Sequence, residues 1–306
     1  MHRLLSLSLL LAACCLVVAP TAGCGGKKGP PTIAELMARA KKNPKPEGRA
    51  RDLATVAGIQ IDSQDKAGAA RTLAAAEAEI PDDGQPLVCV PVLVRIAETY
   101  GELGQRSSGR KAMEKAVTML ETVDDPQGRS KLLAEVAVAQ AALGDRTAAR
   151  ASLETASSLA LNDVSERFRG KALAAVAMGY VDAELAKDAE AVIENLEGLA
   201  ADLDDLRAKA EAYAAAAAVR ASTGAKDAAT ELLAKAAEAA KAIDDLPANR
   251  AYALVAVAKA LNASGDRAGA LELLDDADKS ASKIGDPAQQ KDALKTVRQL
   301  QAKLKG

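Results

Sequence analysis

The chain has 306 residues, with 40 Lys and Arg against 42 Asp and Glu, a formal charge of −2. Apolar residues make up 49%, yet aromatics only 2%, with no Trp and a single Phe (Phe168); Ala, Leu and Val must therefore do the packing that aromatic side chains usually share. Balanced charge without clustered cations or stacking aromatics argues against a nucleic-acid groove, and alanine-rich composition favours closely stacked helices.

Arg3 precedes an apolar run from Leu4 to Ala19, broken by Ser6 and Ser8, and then Thr21, Ala22, Gly23 and Cys24. A basic start, an apolar stretch and small residues form a secretory signal, and the run is shorter than the roughly 20 residues a membrane-spanning helix needs. Thr21-Ala22-Gly23-Cys24 resembles the lipobox of bacterial lipoproteins, with Thr21 where Leu is usual and Pro20 before it. That resemblance implies a signal peptide over 1–23, a diacylglyceryl group on the Cys24 thiol, and acylation of the new amino terminus by a palmitate-type chain. Leu11-Ala12-Ala13-Cys14 fits the motif better, but it would cut the apolar run short and leave a hydrophobic mature terminus, so Cys24 is preferred. The implied membrane partner is reached through these acyl chains. Gly25, not Asp, follows Cys24. By resemblance to lipoproteins of two-membrane bacteria, that leaves out the inner-membrane retention signal and points to the outer membrane, facing the periplasm of the cell envelope.

Of the four cysteines, Cys14 and Cys15 lie in the signal and Cys24 is the acylated one. Cys89 is left without a partner for an internal disulfide, and within Leu87-Val88-Cys89-Val90 it reads as a buried core thiol. The one histidine, His2, is in the removed segment, so the mature chain lacks the commonest general base and metal ligand.

Residues 24–48 read as a tether, polar and Gly/Pro-rich through Pro31, with a short helix over 32–42. Thr32-Ile33-Ala34-Glu35 has the form of a capping box. Ile33, Leu36, Met37 and Ala40 make an apolar stripe that needs a partner, and Asn43-Pro44-Lys45-Pro46 ends the helix.

From residue 49 to 284 the sequence repeats. Gly104, Gly144, Gly224 and Gly265 are spaced by one step or by two, the step being about 40 residues, a period typical of helical solenoids. Gln64 and Glu184 fall in the same phase, before and between them. Seven residues before each of the six lies an alanine: Ala57, Ala97, Ala137, Ala177, Ala217 and Ala258. Nine residues after lie Leu73, Met113, Leu153, Ile193, Leu233 and Leu274. In the third copy Leu133, Val136, Ala137 and Gln140 follow helical spacing up to Gly144, a helix-ending glycine, and Asp145 opens a second helix carrying Ala149, Leu153 and Ala156. One such hairpin cannot bury its apolar face alone, so neighbours stack. Arg49, Arg129, Arg169, Lys209 and Arg250 open most first helices; each has an acid close by, so pairing with linker aspartates competes with a ridge that would bind an anionic ligand.

The order large residue, alanine, glycine turn, alanine, large residue, alanine (Leu133, Ala137, Gly144, Ala149, Leu153, Ala156) resembles the tetratricopeptide repeat. That family's unit is about 34 residues, so each copy here is longer, the addition falling in second helices or links. The resemblance, over residues 49–284, implies an all-α, right-handed α-solenoid of about six helix-turn-helix repeats. It also implies a protein or peptide ligand in a concave groove lined by first helices. The candidate groove residues are Lys131, Ala134 and Val138; Lys171, Ala174 and Met178; Glu211, Ala214 and Ala218; and Tyr252, Val255 and Lys259. The Lys/Asn cluster with which family members clamp a peptide carboxylate is not evident. A C-terminal capping helix follows over 288–304, with Leu294, Val297, Leu300 and Leu304 toward the stack and Lys291, Lys295, Arg298 and Lys303 toward water.

No phosphate loop, paired Cys/His spacing or serine–histidine arrangement occurs. No catalytic residue, metal ligand or cofactor is therefore assigned, and an enzyme is not expected. The reading is a membrane-anchored protein-interaction scaffold. A structural envelope lipoprotein without a specific partner, and a carboxylate-dependent envelope enzyme, remain open at this level.

Overall fold

In the computed structural model, which describes residues 30–305, six backbone positions spaced by the repeat turn left-handed. They are Gln64, Gly104, Gly144, Glu184, Gly224 and Gly265, with φ between 58° and 97°. Each closes one helix in the same way. In the second copy the Gly104 amide donates to the Gly101 carbonyl and the Gln105 amide to the Tyr100 carbonyl; the third repeats this with Gly144 to Ala141 and Asp145 to Gln140. That pair of bonds satisfies the last carbonyls of the helix and reverses the chain. The residue after the turn then becomes the N-cap of the next helix. Asp65, Asp145 and Asp266 accept there from the amides of Gly68, Ala148 and Gly269, whereas Gln105, Leu185 and Ala225 offer no capping side chain.

The hairpins follow directly. First helices are α2 (Pro46–Asp62), α4 (Pro86–Glu102), α6 (Pro126–Ala142), α8 (Glu166–Asp182), α10 (Leu206–Ser222) and α12 (Pro247–Ser264). Their second helices are α3 (Lys66–Ala78), α5 (Arg106–Glu121), α7 (Arg146–Asn162), α9 (Ala186–Asp202), α11 (Lys226–Lys241) and α13 (Arg267–Ala281). α1 (Ile33–Lys41) precedes them and α14 (Pro287–Lys305) follows, and the described residues contain no strand. Proline opens α2, α4, α6 and α12, where its missing N–H costs nothing.

Residues 33–305 form one compact unit. Each first helix touches the next first helix, and each second helix packs against its own first helix and that of the following repeat. The result is an α-solenoid. The six periodic alanines are all within 1% of complete burial, and their small size lets hairpin helices approach closely. Leu73, Met113, Leu153, Ile193, Leu233 and Leu274 are buried against them. Each buried aliphatic side chain of this size contributes about 1.5–3 kcal/mol.

The two end helices belong to the same register. α14 begins at Pro287, one period after Pro247, and occupies the place of a seventh first helix. Val297 and Leu304 are buried, Leu294 and Leu300 half-buried, and Lys291, Lys295, Arg298 and Lys303 exposed. α1 packs on α2 as each second helix packs on the following first helix. Its Ala40 is in phase with Ile80, Leu120, Ala160, Ala200, Ala240 and Ala281, and all seven are buried. The unit is thus half a hairpin, six hairpins, and half a hairpin. Cys89 lies free in the core, its thiol pushed up by burial and, less, by the charge of Glu47. The signal segment, Cys14 and Cys24 lie outside the described residues.

Candidate functional site

On α6, α8, α10 and α12 the same face recurs once per repeat, so the sequence-predicted groove residues form four successive rows. The structure divides them. Lys131, Lys171, Ala218 and Lys259 are exposed; Val138, Ala174, Met178, Glu211 and Tyr252 are half-buried. Ala134, Ala214 and Val255 are buried. Ala134 lies against α8, where a Cβ placed on Gly179 would come 3.2 Å from its own.

Part of the face is a shallow, open trough of about 400 Å³ across α8, α10 and α12, lined by Lys171, Glu211, Ala214, Ala215, Ala256, Lys259 and Ala260. Sequence reasoning missed Ala215 and Ala256. They stand four residues after Glu211 and Tyr252, and a helix presents i, i+4 and i+7 on one side as readily as i, i+3 and i+7; the spacing to find them was therefore present.

A polar network borders the trough. Lys171 Nζ lies 2.6 Å from Glu211 Oε2, and Arg207 Nε lies 2.9 Å from Glu211 Oε1. The Arg207 guanidinium sits 5.2 Å from the centre of the Tyr252 ring and also donates to Asn249 Oδ1. Burial raises the Glu211 carboxyl, but hydrogen bonds and charge from Lys171 and Arg207 outweigh it and hold the group below its ordinary value. Lys259, on the opposite rim, enters no ion pair among the described residues. The trough therefore presents methyl groups below, a Lys–Glu–Arg cluster that keeps one net positive charge on one side and a lysine outside any ion pair on the other. Toward α4 the face turns acidic. Glu98 stands at the surface there, and desolvation by the atoms packed around it, with the charges of Glu102 and Glu135 added, lifts its carboxyl despite Arg95.

Three of the cations that open first helices are held by the chain itself. Arg49 pairs with Glu79 at 2.7 Å and donates to the Asn43 and Pro44 carbonyls. Arg169 donates to the Val164 carbonyl and Arg250 to that of Ile243. These guanidinium groups tie down the link before their own helix, chiefly through backbone carbonyls; the expected pairing with linker aspartates is limited to Arg250 with Asp244 at 3.6 Å. Link carbonyls carry no side-chain signature, so spacing alone pointed to the aspartates.

Among the described residues, no group of His, Cys, Asp and Glu is placed to hold a metal ion, and no helix is long and apolar enough to cross a membrane.

No protein-family model matches the chain, and no match is found among curated proteins. Several solved structures resemble it at low identity. The nearly identical TPR-like repeats of a Podosopora anserina kinesin light chain share 20% identity, covering 65% of this chain and 97% of that one, with a TM-score of 0.36. Ton1535 from Thermococcus onnurineus NA1 shares 14%, covering 86% and 94%, with a TM-score of 0.40. Aspartyl phosphate phosphatase F from Bacillus subtilis shares 13%, covering 89% and 76%, with a TM-score of 0.37. The helical repeat itself rests on this chain's own register of turns and buried alanines.

Proposed function

We propose that the chain is a non-enzymatic interaction scaffold. It is anchored through an acylated Cys24 to a membrane of the bacterial envelope, the outer membrane facing the periplasm, and receives a protein or peptide on the first-helix face. The trough over α8, α10 and α12 carries this reading. A floor of alanine methyl groups accepts a helix or an extended segment at close range, and such a segment gains by burying apolar side chains there. The rim cations Lys171 and Lys259 orient it. The lack of any histidine after residue 2 supports a binding role over acid–base catalysis. The signal-like start and Cys24 support the anchor, since two or three acyl chains hold a protein stably where one does not.

The test is capture by chemical cross-linking from envelope extracts with the full chain, beside the Ala215→Glu/Ala256→Glu variant. Both positions are half-exposed, so the variant should keep its helical circular dichroism while filling the trough with charge. A saturable partner lost in the variant is expected. Undiminished capture by the variant would remove the trough as the site.

A further inference from the structure

Charge along the chain is unevenly divided. Residues 27–51 hold eight Lys and Arg against Glu35 and Glu47, a balance of +6, whereas residues 52–306 hold 31 cations and 40 anions, a balance of −9. The described part of this stretch, residues 30–51, forms the first end of the stack. α1 turns Ala40, Met37 and Leu36 toward its neighbours, which leaves Arg39, Lys41, Lys42 and Lys45 exposed. None of these four enters an ion pair among the described residues. They differ in this from Arg49, which is committed to Glu79 and to link carbonyls.

We infer that this basic end of the solenoid, Arg39, Lys41, Lys42 and Lys45, lies against the anionic phospholipid headgroups of the membrane that carries the chain. The inference rests on the anchored reading, because Ile33 stands only nine positions after Cys24. Nine residues reach at most about 30–32 Å even when fully extended, which bounds the distance of α1 from the surface that holds Cys24 to about four screening lengths at physiological salt. The acyl anchor thus supplies a high local concentration of headgroups, and the cations supply the attraction. Each Lys or Arg near an anionic surface strengthens association about five-fold. The acidic remainder of the chain is repelled by the same surface. Acyl chains alone set no orientation of the stack; the basic end holds α1 toward the lipid, with α8, α10 and α12 three or more hairpins further along the series.

The full chain is isolated from bacterial envelopes and reconstituted into vesicles of pure phosphatidylcholine and of phosphatidylcholine with phosphatidylglycerol. A water-soluble amine reagent is applied, and modification is read lysine by lysine by mass spectrometry. Lys41, Lys42 and Lys45 should react several-fold more slowly on phosphatidylglycerol vesicles, and about 0.5 M NaCl should restore their rates. Lys291 and Lys295, exposed on α14 at the other end, should react equally on both. R39Q, which leaves the reporter lysines in place, should weaken the protection about five-fold. Equal rates on both vesicles, or protection shared by α14, would overturn the proposal. The mass of the N-terminal peptide and flotation with pure phosphatidylcholine report the anchor separately. An acylated chain without protection sinks the surface alone; an unacylated chain that is still protected keeps the surface and sinks the anchor.

Discussion

Lys171 on α8 and Glu211 on α10 join two successive repeats through an ion pair with 2.6 Å between Nζ and Oε2. Arg207 holds the other carboxylate oxygen and lies over Tyr252 of α12, so one carboxylate couples three first helices. These partners hold the Glu211 pKa below its ordinary value although burial opposes them. A depressed carboxyl pKa contributes stability that is fully present above the unfolded value, near 4.3, and is lost as pH falls through the folded value. Glu211→Gln should therefore lower the urea midpoint at about pH 7, with the gap to the parent closing as pH drops below about 4. A gap constant with pH would show that the carboxylate acts through packing alone.

Gln64 adopts φ 63° where four of the six repeats place glycine. A side chain in the left-handed region costs about 1–2 kcal/mol, part of which glycine returns as unfolded-state entropy. Gln64→Gly should raise stability by about 0.5–1 kcal/mol in denaturant unfolding. Glu184→Gly should gain less, because Glu184 also pairs with Arg146 at 2.6 Å in an exposed bridge worth under about 1 kcal/mol.

Ala225 and Asp65 share one backbone geometry at the N-caps of α11 and α3, with φ −80°, ψ 66° and φ −82°, ψ 66°. Only Asp65 accepts an amide there, from Gly68. Ala225→Asp should supply the missing acceptor and raise the melting temperature, a gain of about 1 kcal/mol. An unchanged melting temperature would mean that water already satisfies those amides as well as a carboxylate can.

Gly179 sets the distance between α6 and α8. A Cβ there would come 2.8 Å from Leu153 Cδ2 and 3.2 Å from Ala134 Cβ. Gly179→Val should cost about 1–3 kcal/mol by overpacking, measured by urea unfolding. Wild-type stability in this variant would show that the two helices can part without penalty.

The hairpins were legible because alanine and glycine have few other reasons to recur at so regular a step. Ala57, Ala97, Ala137, Ala177, Ala217 and Ala258 mark the tightest helix contacts, and their burial agrees with the spacing. Gln64 and Glu184 fell in phase without being glycine, and the backbone kept the turn against their preference. The phase of α1 was harder to read. Only Ala40 of its short sequence keeps to the small or aliphatic residue used at that point in other repeats, and so short a helix gives too little periodicity to assign a half-repeat. The site was legible in its rows and not in its detail. Lys171, Glu211, Ala214 and Lys259 border one trough, while Ala134 and Val255 are buried, since a narrow polar difference decides which side of an alanine-rich helix faces inward. The Arg207–Tyr252 stacking joins different repeats, and one-dimensional spacing does not reveal such pairs.

The uniform step has a consequence for how this molecule can change size. The first-helix starts at Pro46, Pro86, Pro126, Glu166 and Leu206 advance by one constant step, and the same step leads from Pro247 to Pro287. Only the passage from Leu206 to Pro247 is longer, by a single residue, in the link where Leu246 stands exposed. The helix contacts run between successive hairpins, so duplicating or deleting one repeat-length block cut at the links keeps the backbone register of the junctions. Reach becomes a digital variable, adjustable by unequal recombination one block at a time. An odd insertion at a link, like the one at Leu246, is absorbed where it occurs and leaves the phase downstream intact.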